Sequence, residues 1–552
     1  MAGVELCPPS ARIPIGRRRY AAAQLEEDEG LPMTTPPGFT GADALLATAA
    51  AAGIEVCFAN PGTTEIPLVA AFARQRRIRP VPCVFEGVCS GAADGYGRVA
   101  GKPAMTLTHL GPGFANAIAN LHNARRGRSP VVNVIGEHTT WHLPFDAPLC
   151  ADIGSLARPV SAYVGTIDSP AAVSAKTRDA IAAARVPPGQ VATLIFPVDF
   201  QQAPASAQWE APFSVPAASI PDAARIDVVA ARLRCSPTAL LVLGGSGLTT
   251  RGQRAAQRLA AHCGARLVSE TFPSTSDRGG GLPSVPRLPY FPEPAIALVA
   301  AHDPVVLAGA LEPVTFFGYA GIPSRIARTG TTVVLARPEE DAAGALETLA
   351  DALGAPAVPD GRRAEAPSAP RPEAPLTPDG VMAALVPRIA EDSVVVVEGG
   401  TLGYPYFATA AAARRHRAIC LSGGAIGFAP PAALGAALAD PGRPVLALTG
   451  DGAALYTAQA LWSMAREGLP VVLCIAANRT YNVVRTELTR AGTAVTGYAA
   501  ALTSLENPPV DWVSLARGYG VAGERTPTFQ ALCIAVDQAL ASRAPYLIEL
   551  AL

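Results

Sequence analysis

The sequence has little charge and no motif that would hold a zinc ion or a disulfide framework. Of its 552 residues only 16% are charged and 49% are hydrophobic, and the formal net charge is −1. Because it has no basic stripe or acidic tail, binding to nucleic acid or to an anionic membrane surface is not expected. The ten cysteines are scattered and include no C-x-x-C pair. This pattern favours reduced thiols in a cytoplasmic protein.

Long apolar segments are also missing. No hydrophobic run approaches the roughly 20 residues that a membrane-spanning helix needs, so no membrane association is expected. Residues 1–38 are rich in proline, and the cluster Arg17-Arg18-Arg19 is followed by acidic residues instead of an apolar stretch. A secretory signal is therefore not indicated. We expect residues 1–38 to form a disordered N-terminal extension.

From residue 40 onward, short apolar runs alternate with helical stretches. This alternation predicts parallel sheets that are covered by helices on both faces. A Pro/Ala-rich stretch with few large apolar groups, residues 354–377, is predicted to be a linker. Because one hydrophobic core seldom serves 552 residues, we expect three domains of the doubly wound α/β class. Their predicted bounds are residues 39–205, 220–353 and 378–552.

The segment from 445 to 481 carries the strongest chemical pattern. A buried strand leads into Gly450-Asp451-Gly452, and a helix and a second buried strand then lead to Asn478. Since parallel strands end at the same sheet edge, Asp451 and Asn478 should meet there. Their oxygens suit Mg²⁺, and the glycines and the helix N-terminus suit a diphosphate. Gly-Asp-Gly alone is an ordinary turn, but the complete arrangement favours a metal and diphosphate site.

This segment resembles the signature of thiamine diphosphate-dependent enzymes, in which a GDG triplet is followed by an Asn at this distance. The resemblance implies that Asp451, Asn478 and the carbonyl of Thr480 bind Mg²⁺. It departs from the family's usual Asn-Asn pair at Arg479, which is not a metal ligand in that pattern. The resemblance also implies cofactor contacts from residues at the ends of the third domain's strands: Gly399, Thr401, Gly450, Asp451, Gly452, Ala453 and Tyr481.

A glutamate that activates the cofactor is implied in the first domain. Residues 81–85 are predicted to form a strand, and Glu86 follows it at the start of a helix of small apolar residues. A lone Glu at a strand end is usually solvated, but F-E-G-x-C-S-G-A-A-D-G-Y-G-R looks like the family's pyrimidine-binding helix. Pressing the carboxyl against this helix would raise its pKa, as proton sharing requires. Glu86 is therefore expected to hydrogen-bond the aminopyrimidine ring.

A second element of the family's site lies at residues 422–428. This segment is similar to the loop that bends the cofactor. The resemblance implies that the carbonyl of Gly424 accepts a hydrogen bond from the cofactor's amino group. Ile426 would act as the wedge beneath the thiazolium ring.

The substrate side of the site is expected on two loops of the first domain, residues 60–65 and 108–116. Here the chain looks like benzoylformate decarboxylase and the acetolactate synthase large subunit. This likeness makes Thr63 a candidate for holding the substrate carboxylate and His109 a candidate proton donor and acceptor. In isolation the first loop is a turn signal and His109 a structural histidine. The other first-domain histidines are expected to be structural or to line the pocket: His122, His138 and His142.

The decarboxylase's second active-site histidine has no counterpart in residues 309–319. Phe316 or Phe317 is expected in its place, which makes the pocket drier and favours capture of the reactive carbanion by a second carbonyl. We therefore predict an enzyme that decarboxylates a 2-oxo acid. The enamine is then protonated or added to an acceptor aldehyde or ketone. The family's architecture implies a homodimer or homotetramer.

Two alternatives remain open at this point. A hydroxyacyl lyase-type enzyme would need a basic cluster for CoA, and Arg125, Arg126 and Arg128 are the candidates. A catalytically silent paralogue would have lost Glu86, Asp451 or Asn478, and all three are present. The segment 244–247 resembles a nucleotide-binding turn, so FAD is conceivable, but no full G-x-G-x-x-G appears and a structural use is favoured.

Overall fold

The structure is a computed structural model that describes residues 38–206 and 217–552. Three sheets with helices packed on them confirm the predicted α/β class. The predicted N-terminal extension lies outside the described residues, except for Gly38. Within the described ranges, no helix is both long and apolar enough to cross a bilayer.

The first sheet has six parallel strands in the order β2-β1-β3-β4-β6-β5. Its central strands are buried on both faces, as expected for a sheet between two helical layers. The strands are β1 Val56–Ala59, β2 Arg79–Pro82, β3 Ala104–His109, β4 Val131–Glu137, β5 Tyr163–Thr166 and β6 Val191–Pro197. The helices are α1 Gly41–Ala51, α2 Ile66–Arg74, α3 Glu86–Ala100, α4 Leu110–Gly127, α5 Ile153–Ala157, α6 Val173–Arg185 and α7 Val198–Gln202.

The strand predicted at residues 81–85 is wrong in its bounds. Strand β2 lies at the sheet edge and ends at Pro82, and Glu86 is the first residue of α3. Two of its four residues, Pro80 and Pro82, lack the N–H that a central strand would need. Glu86 therefore begins a helix instead of closing a strand.

The middle segment builds a four-stranded parallel sheet in the order β11-β10-β7-β8. Its strands are β7 Leu240–Leu243, β8 Arg266–Ser269, β10 Val305–Ala308 and β11 Thr332–Ala336, and its helices are α8 Ala223–Arg234, α9 Thr250–Cys263, α10 Pro292–Ala300 and α11 Ala342–Ala352. One further strand of this segment, β9 Thr275–Arg278, leaves this sheet and joins the third one.

The third sheet has seven strands in the order β16-β17-β15-β14-β12-β13-β9, of which only β9 is antiparallel to its neighbour. Its own strands are β12 Val394–Val397, β13 His416–Cys420, β14 Val445–Gly450, β15 Val471–Ala477, β16 Ala522–Thr526 and β17 Tyr546–Ala551. The helices are α12 Pro378–Leu385, α13 Gly400–Thr409, α14 Ala429–Ala439, α15 Asp451–Ala454, α16 Ala460–Glu467, α17 Asn482–Arg490, α18 Gly497–Leu502, α19 Trp512–Gly518 and α20 Phe529–Ser542.

Helices α3 and α14 join the first and third domains through backbone-to-backbone packing. A Cβ atom at Gly95 would overlap the backbone of Ala432, and one at Gly435 would overlap the carbonyl of Ala92. Glycine is therefore required at these positions for the helices to approach this closely. This packing merges the two domains into one hydrophobic core. It fixes the start of α3 relative to the loop before α14.

Candidate functional site

The two strands that lead to the predicted metal ligands are neighbours. Strands β14 and β15 pair in parallel with Gly450 beside Ala476, so their carboxyl ends coincide. The carboxylate of Asp451 accepts hydrogen bonds from the backbone N–H of Gly452 at 2.8 Å and of Arg479 at 2.7 Å. This second contact spans the two strand ends. It brings Asp451 next to the chain that carries Asn478 and Thr480.

Asn478 is also held in place. Its side-chain oxygen accepts a hydrogen bond from the Thr480 backbone N–H at 3.0 Å, and its amide donates to the hydroxyl of Thr401 at 3.2 Å. Burial raises the pKa of Asp451, which is 4% exposed, although its backbone hydrogen bonds oppose this shift. A carboxylate, an amide oxygen and a backbone carbonyl are the hard donors that Mg²⁺ prefers, and a cation there would offset the buried negative charge.

Arg479 occupies a position that explains the family's usual asparagine. Its φ angle is +53°, in the left-handed region where Asn is common among residues that have a side chain. The turn is retained with arginine because the Arg479 N–H bonds to Asp451. The departure from the family pattern therefore leaves intact the backbone turn beside the predicted metal ligands.

Two helix N-termini face the same strand ends. Helices α13 and α15 begin after the glycine caps Gly399 and Gly450, and neither cap has a side-chain hydrogen bond to the helix. The first N–H groups of α13 are thus available to an anion, whereas in α15 the Gly452 N–H is already used by the Asp451 carboxylate. At Gly452 a Cβ atom would lie 2.5 Å from the ring of Tyr481, so glycine is needed there. This cradle fits a diphosphate.

The loop before α14 is shaped by glycines with positive φ. Gly424 has φ +83° and is exposed, Gly427 has φ +93°, and Ile426 is half-buried between them. The ring of Phe316 lies 3.0 Å from the Cβ position of Gly424. The structure therefore places an aromatic ring from the middle segment beside the loop that was predicted to bend the cofactor.

Phe316 belongs to an aromatic cluster. Its ring centroid lies 5.4 Å from that of Phe272, 5.3 Å from that of Tyr290 and 4.8 Å from that of Phe317. These side chains form an apolar wall with no histidine in it. Phe316 and Phe317 are 43% and 50% exposed, so the drier pocket stays a prediction.

Glu86 is buried and hydrogen-bonded by two asparagines. Its carboxylate accepts from the side-chain amide of Asn60 at 2.9 Å and from that of Asn116 at 3.0 Å. Gly113 gives it room, since a Cβ there would lie 3.1 Å from a carboxylate oxygen. The side chain is thus held in one orientation and is not solvated surface. The roles of Asn60 and Asn116 were not anticipated from the sequence.

His109 takes part in a network that sequence reasoning missed. Its Nδ1 lies 2.8 Å from the carboxylate of Glu65 and 3.1 Å from the hydroxyl of Thr64. The Thr64 hydroxyl donates to the other oxygen of Glu65 at 2.6 Å, and the Gly62 N–H also donates to Glu65 at 2.7 Å. Because the single hydroxyl hydrogen of Thr64 is used on Glu65, Nδ1 of His109 donates its proton to the carboxylate.

Glycines make this network possible. A Cβ atom at Gly62 would overlap the imidazole of His109, and one at Gly136 would overlap the carboxylate of Glu65. The sequence signal that was available is a glutamate placed three residues after Asn-Pro-Gly and before an apolar helix. Glu65 is completely buried, which a surface turn would not require.

The other first-domain residues singled out from the sequence lie in different surroundings. Thr63 starts a short 3₁₀ turn and is exposed, and it is Thr64 that contacts His109. His122 contacts the carbonyl of Gly423 at 3.1 Å, so it links α4 to the Gly424 loop. His138 and His142 pack edge-on against each other, with centroids 5.6 Å apart.

A second cleft, of about 520 Å³, lies between the first domain and the middle segment. Arg125, Arg126 and Arg128 line it together with Glu270, whose pKa burial raises to about 7. Segment 244–247 also borders this cleft. A Cβ at Gly244 would lie 2.6 Å from the carbonyl oxygen of Gly309. The glycines there therefore serve close packing between strand ends.

Comparison with known proteins identifies the class. Residues 39–153 match the family described as "Thiamine pyrophosphate enzyme, N-terminal TPP binding domain", and residues 403–550 match the corresponding C-terminal TPP binding domain. The chain belongs to the thiamine pyrophosphate enzyme family, and its cofactor, thiamine pyrophosphate, is the same compound as thiamine diphosphate. The family predicted from the motifs is thereby confirmed.

Individual proteins of this family that resemble the chain indicate its enzyme type more specifically. The chain is 43% identical to "Putative acetolactate synthase large subunit IlvX" of Mycobacterium tuberculosis, over 92% of this chain and 98% of that protein. It is 30% identical to benzoylformate decarboxylase of Pseudomonas aeruginosa, over 90% of this chain and 96% of that protein. The solved structure of 4-hydroxybenzoylformate decarboxylase from Rhodococcus jostii RHA1 aligns with a TM-score of 0.79 and 25% identity. The alignment covers 93% of this chain and 98% of that one. Both enzyme types expected from the sequence are thus among its relatives.

Proposed function

We propose that the chain is a thiamine diphosphate-dependent lyase or carboligase that decarboxylates a 2-oxo acid. The observation that carries this proposal is the first-domain sheet edge, where Glu86 is held by two asparagines and His109 by Glu65. The names of its relatives support the same reaction type. The complete set of Glu86, Asp451 and Asn478 argues against a catalytically silent paralogue.

Each residue has a separate task in this proposal. When bound, thiamine diphosphate supplies the carbanion centre that adds to the keto carbon of the substrate and accepts the electrons released with CO₂. Glu86 shares a proton with the aminopyrimidine ring, and Asn60 and Asn116 orient its carboxylate. His109 holds and moves a proton at Nε2 because Glu65 fixes its Nδ1–H. Thr63 is proposed to contact the substrate carboxylate.

The cofactor is proposed to be held through Mg²⁺ by Asp451, Asn478 and the carbonyl of Thr480. The diphosphate contacts would come from the N-termini of α13 and α15 and from Tyr481. Removing the metal with a chelator should therefore release the cofactor, and adding Mg²⁺ should restore binding. Cofactor that stays bound after complete chelation would contradict this assignment.

The fate of the product is proposed to depend on Phe316. With phenylalanine beside Gly424, no histidine stands at that place to donate a proton. Capture of the reactive carbon by an acceptor aldehyde or ketone is then favoured over simple protonation. The enzyme is accordingly expected to form a hydroxyketone when an acceptor is present.

We propose a homodimer as the minimum active unit, with a tetramer as the alternative. This proposal rests on the resemblance to the family, in which the pyrimidine-binding domain of one subunit meets the diphosphate-binding domain of another. Glu86 of one subunit would then complete the cofactor site of another.

The arginine-lined cleft is the observation that favours a second candidate, an acyl-CoA lyase. Arg125, Arg126 and Arg128 would suit an anionic cosubstrate, but Glu270 faces the same space and opposes it. The Gly244 turn is used for packing, so we propose no flavin there. Product formation that requires CoA would favour the lyase over the proposed decarboxylase. An FAD absorption spectrum in the purified protein would show that a flavin binds.

A cytoplasmic location is also proposed. Nine cysteines in the described part of the chain are free thiols, as expected in a reducing compartment. Fractionation of the native host, with the protein detected by antibody, tests the location.

The experiment that tests the function is a substrate screen. Metal-free protein is reconstituted with Mg²⁺ and thiamine diphosphate, and 2-oxo acids are tested for CO₂ release with and without acceptor aldehydes. We expect CO₂ release from at least one 2-oxo acid and a hydroxyketone when an acceptor is added. No release from any 2-oxo acid, despite stoichiometric cofactor, would refute the proposed reaction.

A further inference from the structure

Glu398 is a buried carboxylate that four donors surround. It follows strand β12 directly and is 1% exposed. One of its oxygens accepts from the backbone N–H groups of Gly427 at 2.7 Å and Phe428 at 2.9 Å. The other accepts from the Ala429 N–H and the Thr449 hydroxyl, both at 2.9 Å. An ionised carboxylate can accept from all four donors at once, and these hydrogen bonds oppose the burial that raises the pKa of Glu398.

These contacts connect two separate parts of the cofactor site. Gly427 and Phe428 are the last residues of the loop that carries Gly424 and Ile426, and Ala429 is the first residue of α14. Thr449 directly precedes the Gly450-Asp451 turn. Glu398 therefore joins the loop before α14 to the strand end of the diphosphate cradle.

The two parts differ in how many contacts they make with Glu398. The loop side donates three backbone N–H groups to Glu398, whereas the cradle side donates only the Thr449 hydroxyl. The loop is also anchored by the side chains of Asn120, Asn123 and Thr457, and the Asp451 turn by the Arg479 N–H. Loss of Glu398 should consequently disturb the loop more than the cradle.

We infer that Glu398 is a positioning residue, which holds the Gly424 carbonyl and the Ile426 side chain in the geometry that bends the cofactor. The inference rests on the proposed function only in assigning that task to the loop. The carboxylate itself touches neither cofactor nor substrate. It acts through the backbone of residues 427–429.

The experiment compares Glu398→Gln with the wild type by three measurements. Amide hydrogen exchange of the metal-free protein should be at least about tenfold faster at residues 427–429, because charge-assisted hydrogen bonds are lost there. Calorimetry should show affinity for thiamine diphosphate with Mg²⁺ within about threefold of the wild type, since the cradle keeps its other supports. Exchange of the cofactor's C2 proton, followed by NMR, should be at least about tenfold slower.

A second pair of variants keeps the test informative if Glu398→Gln does not fold. Thr449→Val removes one of the four donors and should give the same pattern on a smaller scale. Thr526→Val is the matched control, because Thr526 is a buried threonine of the same sheet whose hydroxyl donates to the Glu549 carbonyl. It should change none of the three measurements.

Two results would overturn the inference. One is unchanged amide exchange at residues 427–429 in both test variants. The other is a loss of cofactor affinity as large as the loss of C2 exchange, which would indicate general damage to the site. If the wild type itself shows no C2 exchange, the proposed function fails, while the amide measurements still decide the contact that Glu398 makes.

Discussion

Replacing Glu65 with glutamine should slow catalysis without weakening cofactor binding. Glu65 is completely buried and accepts hydrogen bonds from His109, Thr64 and the Gly62 N–H. Glutamine has nearly the same shape, and its NH₂ can be placed against the Thr64 hydroxyl, which would then accept the hydrogen bond. The Nδ1–H of His109 nevertheless loses its charged acceptor, so the orientation and tautomer of the imidazole are held less firmly.

The size of the effect follows from the contact that is lost. A hydrogen bond to a charged group is worth about 1.5–3 kcal/mol. If His109 needs this orientation in the transition state, kcat should fall roughly 10- to 150-fold. KM should change little, because the contact does not involve the substrate.

The assay is steady-state decarboxylation of the 2-oxo acid found in the substrate screen, with C2 proton exchange measured on the same preparations. Exchange should remain normal, since it depends on Glu86. Glu55→Gln is the matched control, because Glu55 is an exposed carboxylate of the same domain that pairs with Lys102. A kcat for Glu65→Gln within about twofold of the control would refute the role of the network.

Four further predictions concern single side chains. Glu86→Gln should reduce C2 proton exchange at least about 100-fold while cofactor affinity by calorimetry stays within a few-fold, and unchanged exchange would contradict its role. Gly62→Ala forces the His109 ring to move and should lower kcat as Glu65→Gln does; wild-type kcat would show that the ring can shift freely. Burial raises the pKa of Glu270 to about 7, so its contribution to stability is fully present below the unfolded pKa and is lost as pH rises through about 7. Between about pH 5 and about pH 8 the free energy of unfolding, measured with urea, should fall less in Glu270→Gln than in the wild type, by up to roughly 3 kcal/mol. An equal fall in both proteins would contradict this pKa. Phe316→His should shift the product ratio from hydroxyketone towards aldehyde when both are quantified by chromatography. An unchanged ratio would show that Phe316 does not determine which product forms.

The meeting of the strand ends that carry Asp451 and Asn478 was predictable because it depends on local sequence. Each residue follows a strand of a parallel sheet, and the pairing of those two strands brings them together. The loop around Gly424 was singled out by its resemblance to the family's segment. The metal and cofactor roles of these residues stay predictions.

The substrate end was predicted less well because its contacts are non-local. Glu65 and His109 are 44 positions apart, and Asn116 reaches Glu86 from a different helix. The sequence marked Thr63 as a candidate contact of the substrate, which stays a prediction, but it did not indicate that the neighbouring Thr64 contacts His109. The bounds of β2 were wrong because an edge strand with two prolines ends earlier than its apolar run suggests.

Strand β9 has a consequence for how the protein can be divided. It is made before the third domain during synthesis, and it later covers the outer edge of β13. A fragment that contains only residues 378–552 would leave that edge unpaired, and unpaired edges invite association with other chains. The third domain should therefore aggregate when expressed alone. A fragment starting before Thr275 is the smallest C-terminal piece that retains its edge.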